Sequence, residues 1–370
     1  MPPPNSFQRN CDRLLQLTRP SCALFAALVL LVLSTSCATL PQLRGVGKGA
    51  GFPVGTCVNV DKLPANAAYR AAIEREFSSV TPENTMKMEA LQPRPNEFSW
   101  APADGLVQFA RQHRQRVHGH TLVWHQQLPA WVTQFQGDTA AWDGLLRQHI
   151  QTTVRHFGQR VPAWDVVNEA LEGDGSLSRT VWFQHLGPSY VARAFRYARQ
   201  AAPQALLFYN DWDIETEGPK LNGTLALLAS LKAQGIRVDG VGFQTHTSVG
   251  ASVANISAAM QKVAALGYLV HLSEVDVEIN HQGQHSALTQ PTPELLAQQR
   301  QFVRDLVAAY RQLPPARQYG ITFWGVSDGD TWLRDFKKHP EWPLLLDEQY
   351  RPKPAYEGFR EGVAAPVGAR

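Results

Sequence analysis

Residues 140–170 read AAWDGLLRQHIQTTVRHFGQRVPAWDVVNEA, and they join an amphipathic helix to a strand. In the first half, apolar residues recur at helical spacing and form one stripe. This stripe consists of Trp142, Leu145, Leu146, Ile150, Val154 and Phe157. Residues 163–170 are β-rich and apolar until they reach the polar pair Asn168 and Glu169. Repetition of such a helix and strand unit produces a parallel sheet with helices outside it.

Strand-like runs of this kind recur along the whole chain, most of them separated by helical stretches. The eight runs cover residues 55–60, 79–86, 117–124, 163–170, 206–211, 238–246, 268–277 and 319–326. Eight units within roughly three hundred residues fit a closed (β/α)₈ barrel better than an open sheet. No GxGxxG turn or P-loop follows the first run, which argues against a nucleotide-binding fold. We therefore predict an α/β fold with a single TIM barrel over residues 52–365.

The composition excludes several classes of protein. The chain has 370 residues, of which 44% are hydrophobic, and its formal net charge is +3. Disordered chains contain fewer apolar residues, and proteins that bind nucleic acids carry a strongly basic surface. We therefore predict a globular protein without a nucleic-acid partner.

The first 37 residues have the composition of an export signal. Basic residues precede an apolar run at 23–33, and small residues follow at 34–36. The apolar run is too short to cross the roughly 30 Å hydrocarbon core of a membrane as a helix. We therefore predict that residues 1–37 form a signal peptide and lipobox region and that the protein is exported.

The residues after the apolar run leave the final location open. Cys37 follows Ser-Thr-Ser, which resembles a bacterial lipobox with a lipidated cysteine, although Ser34 stands where that pattern prefers leucine. Cleavage after Ala38 without a lipid is the alternative. The expected protein is an outer-membrane lipoprotein, periplasmic or secreted. The glycine-rich LRGVGKGAG at 43–51 predicts a flexible tether over residues 38–51.

Polar and aromatic side chains concentrate at the C-terminal ends of seven predicted strands. Polar groups are costly in a buried strand unless they are paired, and barrel active sites lie at this end. The groups are Glu83, Asn84 and Lys87; His118, His120, Trp124 and Gln127; Asn168 and Glu169; Asn210 and Asp211; Gln244 and His246; Glu274 and Asp276; and Trp324 and Trp332. We therefore expect one site at the barrel mouth.

Two carboxylates in this set suit the cleavage of a glycosidic bond. Glu169 and Glu274 each follow an apolar half-strand. Such a pair can protonate the leaving oxygen on one side and attack the sugar carbon on the other. Sugar C–H faces pack on indole rings, which Trp124, Trp324 and Trp332 would supply.

Six motifs at these strand ends carry a family resemblance. They are ENTMKME at 83–89, GHTLVWH at 119–125, WDVVNEA at 164–170, GVGFQTH at 240–246, SEVDV at 273–277 and WGVSDGDTW at 324–332. Together with LLLDEQYRPKPAY at 344–356, they make the sequence resemble family 10 of the glycoside hydrolases. That family contains the endo-1,4-β-xylanases, whose fold is a (β/α)₈ barrel. The resemblance extends from Gly55 to Phe359.

The resemblance implies a retaining endo-1,4-β-xylanase that acts on xylan and xylo-oligosaccharides without a cofactor or a metal. It makes Glu169 the acid/base and Glu274 the nucleophile, with carboxyl groups about 5–5.5 Å apart. The other implied catalytic residues are His246, Asp276, which orients it, and Asn168, which holds the sugar 2-hydroxyl. The implied glycone-binding residues are Glu83, Asn84, Lys87, His120, Trp124 and Gln244. Gln127 and Trp332 would crowd a C5 substituent and so favour xylose.

Other interpretations remain open at this point. A His-x-His pair on a barrel strand occurs in metal-dependent hydrolases, although no aspartate or lysine arrangement completes a two-metal set here. A β-1,4-glucanase on the same scaffold and a non-catalytic glycan-binding lipoprotein are the alternative functions. The sequence departs from the resemblance at His118, Trp212 and Asp213, which affects the expected aglycone preference and pH optimum.

Overall fold

Short runs of buried residues form the strands of a closed parallel barrel. The structure is a computed structural model that describes residues 42–285 and 287–368. The strands are β1 (Val54–Val58), β2 (Ser79–Pro82), β3 (Arg116–Gly119), β4 (Ala163–Asn168), β5 (Leu206–Asp211), β6 (Gly240–Phe243), β7 (His246–Ser248), β8 (Leu269–Glu278) and β9 (Gln318–Phe323). Strands β1 to β6 pair in sequence, β9 joins β1 to β8, and a β6–β8 pairing closes the barrel. The predicted TIM barrel is confirmed.

The helices follow most strands and cover the outside of the barrel. They are α1 (Leu43–Ala50), α2 (Lys62–Ala65), α3 (Ala67–Glu76), α4 (Met88–Leu91), α5 (Ala101–Gln112), α6 (Ala130–Thr133), α7 (Thr139–Phe157), α8 (Val181–Leu186), α9 (Tyr190–Ala201), α10 (Pro219–Ala233), α11 (Val253–Ala265), α12 (Pro293–Arg311), α13 (Leu333–Lys337) and α14 (Pro354–Ala364). Asp138 caps α7 by accepting the Ala141 N–H. The whole predicted apolar stripe of α7 is buried, from Trp142 to Phe157.

Several predicted strands end earlier in the structure, because their polar residues lie in the loops that follow. The run at 79–86 forms only β2 (Ser79–Pro82), and the run at 117–124 forms β3 (Arg116–Gly119). The run at 238–246 splits into β6 and β7 around Thr245, whose φ of 62° lies in the left-handed region. The short β7 pairs with the C-terminal half of β8 and lies outside the closed ring.

The predicted flexible tether over 38–51 is wrong for the residues that the structure describes. Residues 43–50 form helix α1, in which Leu43 and Gly47 are buried. A Cβ at Gly47 would lie 2.6 Å from Val54 Cγ2, so glycine allows the helix to approach β1 closely. The Leu43 N–H also donates to the buried carboxylate of Glu76. Helix packing therefore explains the glycines better than flexibility does.

The predicted signal peptide and lipobox at 1–37 lie outside the described residues. Within the described part of the chain, none of the helices combines the length and apolar character that a membrane crossing requires.

Candidate active site

Glu169 follows directly after β4 in a backbone conformation that few residues other than glycine adopt. Its φ is 55°, and its N–H donates to the Asn210 carbonyl. Trp124 Nε1 donates to Glu169 Oε2 at 2.8 Å, and Gln244 Nε2 donates to Oε1 at 3.0 Å. The carboxylate is half-buried and is held by side chains from the loops after β3 and β6.

Glu274 lies on β8 and is 5% exposed. Asn210 Nδ2 donates to its Oε1 at 2.7 Å, and His246 Nε2 lies 3.6 Å from its Oε2. Burial acts to raise the pKa of Glu274, but the His246 imidazole and the charge of His120 outweigh burial and bring the pKa below its ordinary value. The side chain is therefore ionised at neutral pH, as a nucleophile requires.

A chain of amide groups connects these two carboxylates. Asn210 Nδ2 donates both to Glu274 Oε1 and, at 2.8 Å, to Asn168 Oδ1. Asn168 Nδ2 in turn donates to Glu169 Oε1 at 3.2 Å. The structure therefore brings the ends of β4 and β8 together, as the sequence predicts.

Asn210 was given no role by the sequence, although it lies one residue before the end of β5 within one of the polar groups. Ser273 Oγ donates to its Oδ1 at 2.6 Å and fixes the orientation of the amide. A Cβ at Gly242 would lie 2.0 Å from the same oxygen, so only glycine leaves room for this arrangement. Its position at a strand end was the available sequence signal.

His246 is fixed by a second acidic residue. Its Nδ1 lies 2.8 Å from Asp276 Oδ2, which also accepts Trp332 Nε1 at 3.0 Å. Burial alone would lower the pKa of His246, but the charges and hydrogen bonds of Asp276 and Glu274 raise it well above its ordinary value. The imidazolium therefore lies between two carboxylates.

All of the predicted glycone-binding residues except Gln244, which follows β6, lie after β2 and β3. Lys87 Nζ and Gln127 Nε2 both donate to Asn84 Oδ1, at 3.2 and 3.1 Å. Lys87 Nζ also lies 4.9 Å from the centre of the Trp124 ring, which connects the group to Glu169. Burial raises the pKa of Glu83 despite the opposing charge of Lys87.

His120 and Trp324 lie against each other, with ring centres 5.4 Å apart. His120 Nδ1 is 2.9 Å from Asp165 Oδ2, a contact that the sequence did not predict. Trp324 is only 8% exposed, whereas Trp124 and Trp332 are half-buried. The latter two rings therefore offer more surface for sugar stacking.

Several histidines of the group considered above for a metal site contact protein side chains. His118 Nδ1 lies 2.9 Å from the Tyr319 hydroxyl, while His120 and His246 contact aspartates. Across residues 42–285 and 287–368, no three His, Cys, Asp or Glu side chains are grouped so that they could hold a metal ion.

Comparisons with known proteins show which sequences this chain resembles. The sequence model of glycosyl hydrolase family 10 matches residues 42–362. Exoglucanase XynX of Acetivibrio thermocellus is 36% identical over 331 residues, which cover 86% of this chain and 29% of that protein. An endo-1,4-beta-xylanase of Geobacillus stearothermophilus is 36% identical over 332 residues, which cover 86% of this chain and 98% of that protein. This chain thus spans less than a third of the first relative and almost all of the second.

The fold is also similar to a solved xylanase structure. The crystal structure of xylanase 10B from Thermotoga petrophila RKU-1 in complex with xylobiose superposes with a TM-score of 0.82 at 34% identity. The match covers 87% of this chain and 97% of the solved chain.

Proposed function

Since this chain belongs to glycosyl hydrolase family 10, we propose that it is a retaining endo-1,4-β-xylanase that hydrolyses internal β-1,4-xylosidic bonds of xylan. The observation that carries the proposal is the amide chain from Glu274 through Asn210 and Asn168 to Glu169. It holds two carboxylates at one site in different surroundings. One is buried, with a lowered pKa, and the other is half-buried.

In the first step, a Glu274 oxygen attacks the anomeric carbon of the bound sugar. The bond to the leaving oxygen breaks, and Glu169 gives its proton to that oxygen. The product is a glycosyl ester on Glu274. The lowered pKa of Glu274 keeps the attacking oxygen ionised, and Asn210 holds it in place.

In the second step, water attacks the anomeric carbon from the face opposite to its ester bond with Glu274. Glu169, now ionised, takes the proton from the water, and the Glu274 carboxylate leaves. Two inversions at one carbon give net retention of configuration.

Neighbouring side chains position the sugar and the two acids. Asn168 lies between the carboxylates and would contact the 2-hydroxyl, while His246, fixed by Asp276, stabilises the charge of Glu274. Trp332 donates to Asp276, which fixes an indole ring beside His246. A ring in that position would crowd a hydroxymethyl group and favour xylose over glucose.

Two relatives that this chain covers almost completely support xylan as the substrate. The Geobacillus stearothermophilus protein is named an endo-1,4-beta-xylanase, and the Thermotoga petrophila structure contains xylobiose. The first relative is named an exoglucanase, which makes β-1,4-glucan the substrate to compare with xylan.

The deciding experiment follows xylan hydrolysis by NMR and compares the rate with that on carboxymethylcellulose. We expect cleavage at bonds within the xylan chain, with first products in the β-anomeric form. We also expect xylan to be hydrolysed faster than carboxymethylcellulose. Faster cleavage of carboxymethylcellulose would establish the glucanase alternative. Xylan binding without new reducing ends would establish a glycan-binding protein, and α-anomeric first products would contradict the double displacement.

We also propose that the protein is exported and lipidated at Cys37. The support is the order of basic, apolar and small residues before this cysteine. Expression of the full chain in a bacterium with a labelled fatty acid tests the proposal. We expect label on the wild type and none on Cys37→Ser. An unlabelled wild type that is still exported would indicate ordinary cleavage and a periplasmic or secreted protein.

A further inference from the structure

The turn between β6 and β7 contains a strained residue between two residues of the site. Thr245 is fully buried and has a φ of 62°, a conformation that β-branched residues rarely adopt. Gln244 precedes it and His246 follows it. Something outside the turn must hold this backbone conformation.

Both carboxylates depend on this turn. Gln244 Nε2 donates to Glu169 Oε1 at 3.0 Å, and the Gln244 carbonyl accepts the Glu274 N–H at 3.0 Å. On the other side of Thr245, His246 Nε2 lies 3.6 Å from Glu274 Oε2. A shift of the turn would therefore move contacts of Glu169 and Glu274 at the same time.

A buried acid from outside the turn contacts Thr245: Glu215, in the loop between β5 and α10. Its Oε1 accepts the Thr245 N–H at 2.6 Å, and the residue is 9% exposed. Burial raises the pKa of Glu215 to about 7, although the Thr245 N–H and the charge of His246 act in the opposite direction. A buried carboxylate is unfavourable for stability unless it is well bonded.

We propose that Glu215 is a positioning residue for catalysis. Its carboxylate oxygen fixes the left-handed Thr245 turn and, through it, aligns Gln244 with Glu169 and His246 with Glu274. The inference rests on the proposed function, because it takes these two glutamates as the reacting groups.

Glu341 provides a matched control. It is also a buried acid that accepts backbone N–H groups, from Ile279, Asn280 and Trp342, at 2.7 to 3.1 Å. Burial raises its pKa as well. None of these partners contacts Glu169 or Glu274 through a hydrogen bond among the described residues.

The experiment compares Glu215→Met, Glu215→Gln and Glu341→Met on xylan and on an aryl xylobioside. Methionine fills the volume without an acceptor, whereas glutamine keeps an acceptor oxygen. We expect Glu215→Met to lose kcat by roughly 10- to 100-fold on both substrates, with little change in KM, because small misplacements of reacting groups have effects of this size. Glu215→Gln should recover most of kcat. Glu341→Met should melt at a lower temperature with kcat unchanged in the folded enzyme.

A wild-type kcat in folded Glu215→Met would overturn the inference, and so would a Glu215→Gln variant as impaired as Glu215→Met. Should Glu215→Met not fold, Glu215→Asp replaces it, since this change withdraws the carboxylate by one methylene. A wild-type kcat in that variant would equally overturn the inference. Failure of the proposed function itself would appear separately, as a wild-type enzyme that does not hydrolyse xylan.

Discussion

The barrel interior contains two polar networks, and each combines carboxylates with imidazoles. The mouth network consists of Glu169, Glu274, Asn168, Asn210, Gln244 and His246. The floor network consists of His118, Asp165, His271, Tyr319 and Thr322. Strand β4 and strand β8 contribute residues to both networks.

The two networks differ in how far they are exposed to a ligand. In the floor network, His118 contacts Tyr319 on one ring nitrogen and Asp165 on the other, at 2.9 and 3.0 Å. Every member is at most 5% exposed. In the mouth network, Glu169 and His246 are only half-buried. A polar group inside a barrel is therefore a candidate for catalysis where a ligand can reach it, and a structural group where it is fully buried.

The strongest test of this comparison removes the buried carboxylate of the mouth. Glu274→Ala should lower the rate on both xylan and aryl xylobiosides by at least about 10⁴-fold, because no covalent intermediate can form. Initial-rate measurements with both substrates check this. Since alanine removes a buried ion next to His246, circular dichroism should accompany the kinetics. Residual activity above a few per cent in the folded variant would contradict the assignment.

Removal of the other mouth carboxylate should give a loss that depends on the substrate. Glu169→Ala should lower xylan hydrolysis by about 10²- to 10⁴-fold, the usual contribution of a general acid. Aryl xylobiosides with good leaving groups should retain a fast first step, since these leaving groups need no proton. Burst kinetics would detect this step. Equal losses on both substrates for Glu169→Ala and Glu274→Ala would contradict the assignment of different roles to the two residues.

A substitution in the floor network should change stability and leave catalysis almost intact. His118→Leu removes one partner of the buried Asp165, which should lower the free energy of unfolding by about 1–3 kcal/mol. We expect kcat to change by less than about threefold, because Asp165 still holds His120 and the mouth contacts stay in place. Denaturant unfolding and xylan kinetics measure the two effects. A large loss of kcat with little destabilisation would break the distinction between the networks.

A further pair of predictions concerns opposite pH dependences of stability. Burial acts to raise the pKa of Asp165, but the charges and hydrogen bonds of His118 and His120 lower it. Its contribution is therefore present above the unfolded-state pKa and is lost as the pH falls through the folded-state pKa. His246 has a raised pKa, so its contribution is full below its unfolded-state pKa and is lost as the pH rises.

These directions can be measured with Asp165→Asn and His246→Gln. The stability difference from wild type should shrink in acid for the first variant and in alkali for the second. Each should change by about 1.4 kcal/mol per pH unit between the two pKa values. Urea unfolding from about pH 2 to 10 follows the onset of the acid loss for Asp165→Asn and the alkaline loss for His246→Gln, and parallel curves for the two variants would contradict the assignment.

Much of the site was predictable because its residues follow apolar strands. Glu169 and Glu274 stand out as carboxylates after buried half-strands, and both lie in the mouth network. Asn210 and Glu215 were missed for a physical reason. Their importance depends on contacts with Gly242, Ser273 and Thr245, which belong to other strands or loops.

The error at residues 38–51 has a related cause. A glycine-rich segment is typical of a flexible linker, yet Gly47 lets helix α1 approach Val54, and Leu43 is buried. The close approach of a distant strand cannot be seen in the composition of the segment itself.

The order of apolar and polar residues determined the barrel, its eight strand positions and the end at which the site lies. These features follow from the spacing of apolar residues, which is a local property of the sequence. Only the tertiary structure decided which polar groups are enclosed and which are open, which carboxylate has a lowered pKa, and which backbone turn a buried acid holds. Those properties depend on distances between side chains far apart in sequence, because electrostatic and hydrogen-bond energies act through space.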